Sequence, residues 1–365
     1  GYNLRPGQTL SPEYEMWSGA IKARYDLTPS IRFDAGAMYT VINTRARSAP
    51  EAAIYGDTYA VLDADGNATY DANGVIIEAE LPQIASSHPF IPPEVEETRS
   101  GSVSWYRRFN ELGWDEKNND RQTLRTNFGL SGDAWGDWQW NVGGTYGTYN
   151  QHQRDLNEID LQHLANALQV TTIDGEVVCA SAAAREEGCV AVNIFGEGSI
   201  TEPMADYIRY NADLRQEREQ VTGLASANGT LFELPAGPLK AAAGLEYRRE
   251  YQRTWGQGGD KILQTTSTGV PDIEARFDVI EAFAEIDVPV LETVSLQLAG
   301  RIADYSTVGT VSSYNIGGSF FPSPDVRFRA QYSRSQRAPT LTEFFSPTRG
   351  DYDSLTDPCG GLLPD

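Results

Sequence analysis

Val326-Arg327-Phe328-Arg329-Ala330-Gln331-Tyr332-Ser333-Arg334-Ser335 is the stretch whose reading decides the fold. Val326, Phe328, Ala330 and Tyr332 fall on one side of an extended chain, and Arg327, Arg329, Gln331 and Ser333 fall on the other. A period of two is the signature of a β-strand, because successive side chains point to opposite faces. Working outward, the pattern recurs at Ile31 to Val41, where Ile31, Phe33, Ala35, Ala37, Tyr39 and Val41 share a face. Trp138 to Thr148 sets Trp138, Trp140, Val142 and Tyr146 against Gln139, Asn141 and Thr145. Leu239 to Tyr251 sets Leu239, Ala241, Ala243, Leu245 and Tyr247 against Lys240, Glu246, Arg248 and Glu250. Weaker versions lie near 15–27, 121–131, 220–234, 279–290, 294–305 and 311–321.

Alternation alone fits a soluble sandwich as well as a barrel in a membrane, since both have one apolar and one polar face per strand. The connections separate the two. Short turns stand at Thr28-Pro29, Ala134-Trp135-Gly136-Asp137, Pro235-Ala236-Gly237-Pro238, Leu291-Glu292-Thr293 and Pro322-Ser323-Pro324-Asp325. Between them lie long stretches near 43–120, 150–218 and 253–277, and a brief one near 306–310. Tight turns at one end and mostly long loops at the other is the pattern of an outer-membrane barrel. Strand direction must alternate between short turns, so residues 102–112, although strand-like, belong to the first long loop. About ten spanning strands remain. Trp17, Trp135, Trp138, Trp140, Tyr25, Tyr39, Tyr146 and Tyr149 lie toward strand ends, as interfacial girdles require.

Composition agrees. The 365 residues carry a formal net charge of -22, which argues against nucleic acid as a partner. Mean hydropathy is -0.43, and no apolar run is long enough for a membrane helix. Of three cysteines, Cys179 and Cys189 are close enough in sequence for one local disulfide, which leaves Cys359 without a partner in this chain. The sequence starts at Gly1 with no signal peptide, and we expect both ends to be cuts in a longer protein.

After the last alternating strand comes Arg337-Ala338-Pro339-Thr340-Leu341-Thr342-Glu343-Phe344-Phe345-Ser346-Pro347. It resembles the RAP-x-L-x-E-L/F-F stretch that follows a barrel strand in TonB-dependent receptors. Cys189-Val190-Ala191-Val192-Asn193-Ile194-Phe195-Gly196, Leu234-Pro235-Ala236-Gly237-Pro238 and Gly244-Leu245-Glu246-Tyr247-Arg248-Arg249-Glu250 resemble further segments of that family, as does Ile280 to Pro289. Asp357-Pro358-Cys359 resembles the start of a family loop whose second cysteine lies downstream. The resemblance implies an all-β fold: residues 1–365 as part of one antiparallel transmembrane barrel domain of about 22 strands, with long outer loops containing short helices. It also implies a plug domain and a TonB box, neither of which is in this sequence.

The stretch from Glu51 to Thr98 holds ten acidic residues and no Lys or Arg. Within it, Asp63, Asp65, Asn67 and Asp71 place oxygen ligands beside turn glycines, which suits calcium. Asp-Gly and Asn-Gly are also plain turn formers, and the glycine spacing departs from that of an EF-hand. In the second loop, Leu156, Ile159, Leu164 and Leu168 form one face of a helix over 155–168, and Thr201-Glu202-Pro203 reads as another helix start. His88, His152 and His163 lack metal-pair spacing, and there is neither a G-x-S-x-G nor a Walker A sequence, so no catalysis is expected. Glu246 and Glu250 are expected in a lumenal charge lattice with Lys240, Arg248 and Arg249.

The resemblance implies active uptake of a scarce ligand (siderophore-iron, haem, cobalamin or oligosaccharide) across the outer membrane of a Gram-negative bacterium. TonB, the small-molecule ligand and outer-membrane lipid are then the partners. Arg32, Asp34, Arg327, Arg329 and Gln331 would line the lumen. A passive porin or adhesin, and a secreted soluble β-rich protein binding sugar with calcium, are the competing readings; a plug encoded upstream excludes the first, and detergent-free solubility favours the second.

Overall fold

The computed structural model describes residues 5, 7–63, 68–96, 101–256, 265–266 and 272–346. Ten long strands form one sheet: β1 Glu13–Thr28, β2 Ile31–Arg47, β3 Glu116–Asp133, β4 Gln139–Ile159, β5 Arg209–Leu234, β6 Gly237–Gly256, β7 Ile273–Leu291, β8 Val294–Tyr305, β9 Gly309–Ser323 and β10 Val326–Arg334. Each strand pairs with its sequence neighbours in order from β1 to β10, antiparallel throughout, and the barrel is not closed. The five expected short turns gather at one end. Residues 102–112 lie outside the sheet, as the parity argument requires.

The strands are longer than alternation alone revealed. Up to Val41, β2 is apolar on its outer face; at a rise of about 3.3 Å and a tilt of about 45°, those ten steps span about 23 Å of height. Beyond that level the outer face turns polar while the hydrogen-bond ladder continues. On β4 the outward series passes from Trp140, Val142 and Tyr146 to Asn150, His152 and Arg154; on β5 it passes from Ala225 and Val221 to Glu219, Glu217 and Arg215. Ion pairs hold this upper collar: Arg249–Asp278 at 2.7 Å, Arg47–Glu116 at 2.7 Å, Arg215–Asp213 at 3.2 Å and Arg154–Asp120 at 3.4 Å. Below it, Trp17, Phe128, Leu245, Ile280, Ile302 and Tyr332 stand exposed in one apolar band.

Two expectations fail here because register, not residue type, sets the face. Arg249 is opposite Asp278 on the outer collar, one residue out of phase with Arg248, so it does not join Glu246 and Glu250. Tyr149 pairs across β4–β5 with Arg218 on the inner face and is no girdle residue.

Among the described residues, five short α-helices decorate the long-loop end: α1 Pro93–Glu96, α2 Leu161–Leu168, α3 Ala182–Glu186, α4 Glu202–Ile208 and α5 Leu341–Phe345. The helix expected over 155–168 is shorter than the leucine spacing suggested. Pairing with β5 runs to Ile159, and Asp160 then accepts the His163 N–H as N-cap, so α2 starts only at Leu161. Thr201 does precede a helix, α4.

The first loop (48–115) and the second (160–208) fold together into one cap. Its core includes Ala53, Leu81, Ile84, Trp105 and Phe109 from the first loop, and Leu164, Leu168, Val192, Ile200 and Ile208 from the second. The Cys179–Cys189 disulfide closes part of the second loop, with the Cα atoms 6.2 Å apart.

Candidate functional site

The inner face of the sheet is a polar lattice except on β7, where Ile273, Ala275, Phe277 and Val279 face inward. Cross-strand pairing places Ser226, Thr222, Gln220 and Arg218 of β5 beside Asn141, Thr145, Gly147 and Tyr149 of β4. Short polar side chains bond directly across: Asn141 Nδ2 donates to Ser226 Oγ at 2.9 Å, and the Thr145 and Thr222 hydroxyls are 2.6 Å apart. Toward β8 the lattice becomes charged. Arg301 spans Glu246, at 3.2 Å, and Glu281; Arg248 reaches Glu250 at 3.0 Å and Glu281 at 3.9 Å. Glu281 is only 4% exposed, so two guanidinium groups balance a carboxylate that burial would otherwise disfavour. Glu246 and Glu250 thus belong to a charge lattice, as expected, with Arg301 and Arg248 as their partners.

The segment after β10 folds back onto this face. Thr340 is the N-cap of α5: its hydroxyl accepts the Glu343 N–H at 3.2 Å, and Glu343 Oε2 accepts the Thr340 N–H at 2.8 Å. This capping box satisfies two amides that a helix start leaves open. Arg337 then closes on Glu343 with two parallel bonds, at 2.8 and 2.9 Å. Those bonds, with the cap, hold the Glu343 carboxyl at about 2. Leu341 is buried against Ile273, Ala275, Phe277, Val279 and Ala303, and the Thr342 hydroxyl exchanges bonds with Gln252. Phe344 remains exposed and meets Phe345 edge-on at 5.0 Å. Ala338 and Pro339 line a cavity of about 460 Å³ between this segment and the Glu246–Arg301 lattice. A second cavity, of about 440 Å³, lies on the other side of Thr340 over β3 to β6. Arg337, Ala338, Pro339, Leu341, Glu343 and Phe344 are therefore one built feature: a clamp, a turn and an anchor that carry the chain inward.

Arg32, Asp34, Arg327, Arg329 and Gln331 share the polar face but not a site. Arg32 pairs with Asp26 at 2.9 Å and Asp34 with Arg24 at 2.8 Å near one edge of the sheet. Arg327 donates to Ser319 at 3.0 Å at the opposite edge, where Arg329 faces Ser319 and Gln331 faces Gly317 in register. Of the calcium candidates, Asp71 spends its carboxylate on its own turn, accepting from the Asn73 and Val75 N–H groups at 2.8 and 2.9 Å. Asp65 and Asn67 lie outside the described residues, and no cluster of three or more acidic, His or Cys ligands exists among the described ones.

Sequence reasoning missed Arg107. It pairs with Glu111 at 2.6 Å and donates to the carbonyls of Ile194 and Gly196 and, at 3.1 Å, to Ser199 Oγ. Glu111 in turn accepts the Gly198 N–H at 3.0 Å. One ion pair thereby staples the first loop to the second. Nothing in the local sequence signals the staple, since its second-loop partners lie about ninety residues away in the chain. The capping box was also missed, although Thr340-Leu341-Thr342-Glu343 has the S/T-x-x-E form that signals it.

The family model described as TonB dependent receptor-like, beta-barrel, matches residues 85–360. Among solved structures, the ferric-catecholate import receptor Fiu from K12 E. coli, in its closed form, aligns with a TM-score of 0.50 at 11% identity, over 94% of this chain and 46% of that one. The RagAB peptide importer in its closed-closed state gives 0.49 at 10% identity, over 92% and 34%. The ferripyoverdine receptor of the outer membrane of Pseudomonas aeruginosa gives 0.44 at 11%, over 84% and 34%. At these identities the likeness is one of fold, and the chain spans less than half the length of each. A comparison with curated proteins found no match. The family match covers most of the chain and eight of the ten strands of the antiparallel sheet, β3 to β10: the chain belongs to the TonB-dependent receptor β-barrel family, whose members are outer-membrane transport proteins.

Proposed function

We propose that this chain forms part of the wall of an outer-membrane receptor that takes up a scarce ligand, driven by TonB. The observation that carries the reading is the split of one sheet into an apolar outer band near the short turns and a largely polar inner face (Leu245, Ile280 and Ile302 against Glu246, Glu281 and Arg301). Such a wall buries its band in lipid and lines an aqueous path with the other face. On this reading the cap and α5 lie on the extracellular side, and Arg32, Asp34, Arg327, Arg329 and Gln331 line the lumen. The ligand classes in play are siderophore-iron, haem, cobalamin and oligosaccharide. The ten acidic residues of Glu51 to Thr98 weigh against the most highly charged anions through their field on approach.

The test is made on cells with and without the intact receptor, fed each ligand class at limiting concentration. Deletion is expected to abolish accumulation of one class. A protonophore is expected to abolish that accumulation while leaving surface binding in place. Accumulation that survives the protonophore would assign the barrel to passive diffusion and reject TonB-driven uptake.

A further inference from the structure

The chain is strongly acidic, with a net charge of -22, yet one part of its polar face is basic. Elsewhere on that face, apart from Arg327 and Arg329 on the edge strand β10, arginines are matched to carboxylates: Arg24 to Asp34, Arg32 to Asp26, Arg248 to Glu250, Arg301 to Glu246 and Glu281. Arg121, Arg125 and Arg218 have no ion-pair partner among the described residues. Arg121 Nε is buried there without a hydrogen-bond partner. Arg121 and Arg125 project from β3 and Arg218 from β5, flanking β4 on the same face. Arg125 is opposite Gly147, and Tyr149 is opposite Arg218. Two interstrand spacings and one residue pair along the strand put the Arg125 and Arg218 backbones about 12 Å apart, so their long side chains can converge on one group held between them.

The space between them is open. Gly147 separates Arg125 from Gln220, and a Cβ added there would meet nothing nearer than the Leu124 carbonyl at 3.6 Å. The sheet's own packing therefore does not require glycine at this position. Arg125, Tyr149, Arg218, Gln220, Thr340 and Thr342 line the cavity of about 440 Å³. Glu250, which also lines it, is already spent on Arg248 at 3.0 Å and Gln220 at 3.2 Å. The Arg218 guanidinium sits 5.9 Å from the centre of the Tyr149 ring, which fixes its position.

We propose that Arg125 and Arg218, with Arg121 behind them, form a subsite for one anionic group, a carboxylate or a phosphate, of a ligand whose remaining body is neutral. Guanidinium groups present planar paired donors that match either anion. Gln220 keeps its amide oxygen after donating to Glu250, and Thr340 keeps its hydroxyl proton after accepting the Glu343 N–H; both suit a neutral, hydrogen-bonding body. A single anionic group also fits with an acidic outer loop, which repels polyanions far more than it repels singly charged molecules. The inference rests on the reading that the polar face lines a ligand path.

The test is calorimetry on the intact purified receptor at low salt, with succinate and inorganic phosphate as anionic probes and maltotriose as a neutral control. Wild type is expected to bind at least one anion, with affinity falling as NaCl is raised. Arg125→Gln with Arg218→Gln is expected to weaken that binding tenfold or more, leaving the response to maltotriose and the melting temperature unchanged. A response to succinate without phosphate assigns a carboxylate; the reverse assigns a phosphate. Anion binding that is equal in the double variant, or absent from wild type, overturns the proposal. So does a fall in melting temperature in the double variant with no anion bound by wild type, since the arginines then serve an acidic group of the receptor itself. Binding is read on purified protein and needs no energised cell. Failure here leaves TonB-driven uptake standing, and failure of the protonophore test leaves this subsite standing.

Discussion

Below Tyr247, β6 is apolar on its outer face and small or charged on its inner face; above it, both faces carry charge. Ala241, Ala243 and Leu245 give way to Arg249 and Arg253, while Glu246, Arg248 and Gln252 continue the inner face unbroken. The backbone ladder does not change at the boundary. The two halves are one hydrogen-bonded sheet in two surroundings, so the outer side chains report the medium and the inner ones report the lumen. The cap obeys a third rule. Its core is made of non-local contacts between two loops, and it depends on neither lipid nor the ladder.

That comparison can be broken at either end. In the cap, Phe109 is fully buried, and Phe109→Ala is expected to cost about 3–5 kcal/mol of cap stability. Hydrogen exchange would show it as loosening of both loops together, with the wall peptides unaffected. In the band, Ile280 is 64% exposed on the outer face, and Ile280→Arg is expected to cost about 2–4 kcal/mol when folding is measured in lipid. Four residues away on that face but above the boundary, position 276 carries arginine in the native sequence. Replacing Cys179 and Cys189 by serine is expected to remove about 2–3 kcal/mol, confined to the cap, since the bridge closes a loop of only ten residues. Denaturant unfolding followed by proteolysis within 160–208 would read it.

The smallest effect is the most discriminating. Burial pushes the carboxyls of Glu51, Asp115 and Asp160, all around the cap, above their ordinary values. A raised carboxyl binds its proton more readily folded than unfolded, so the cap gains stability as pH falls into the carboxylate range. Glu343 is the opposite case: at about 2, its clamp contributes stability that is present above the ordinary carboxylate value and lost as pH falls toward about 2. Acidification from pH 7 to pH 4 is therefore expected to protect cap amides and leave α5 intact. Opening of the 341–345 amides at pH 4 would contradict the clamp.

All ten strands were legible because a sheet with one apolar face writes its period into the sequence. Their full lengths were not. Arg209 to Arg218 reads as a polar loop, yet it is strand, because above the band neither face is apolar and the ladder alone carries the register. Arg249 and Tyr149 were assigned to the wrong faces for the same reason. The Arg337–Phe344 segment was legible by its resemblance, and its Thr340–Glu343 box carries a local signal that the motif alone does not spell out. The site was hidden where partners are distant: Arg107 with the carbonyls near Ile194, Thr342 with Gln252, and the unmatched arginines on β3 and β5.

The most direct test is a single-cysteine scan of residues 239–253 in the intact receptor, in lipid bilayers, with spin labels read for collision with oxygen and with a water-soluble nickel complex. Positions 241, 243 and 245 are expected to favour oxygen, positions 240, 246, 248 and 250 to favour nickel, and positions 249, 251 and 253 to favour nickel despite facing outward. Nickel access at 241, 243 and 245 equal to that at their even-numbered neighbours would contradict the membrane-wall account.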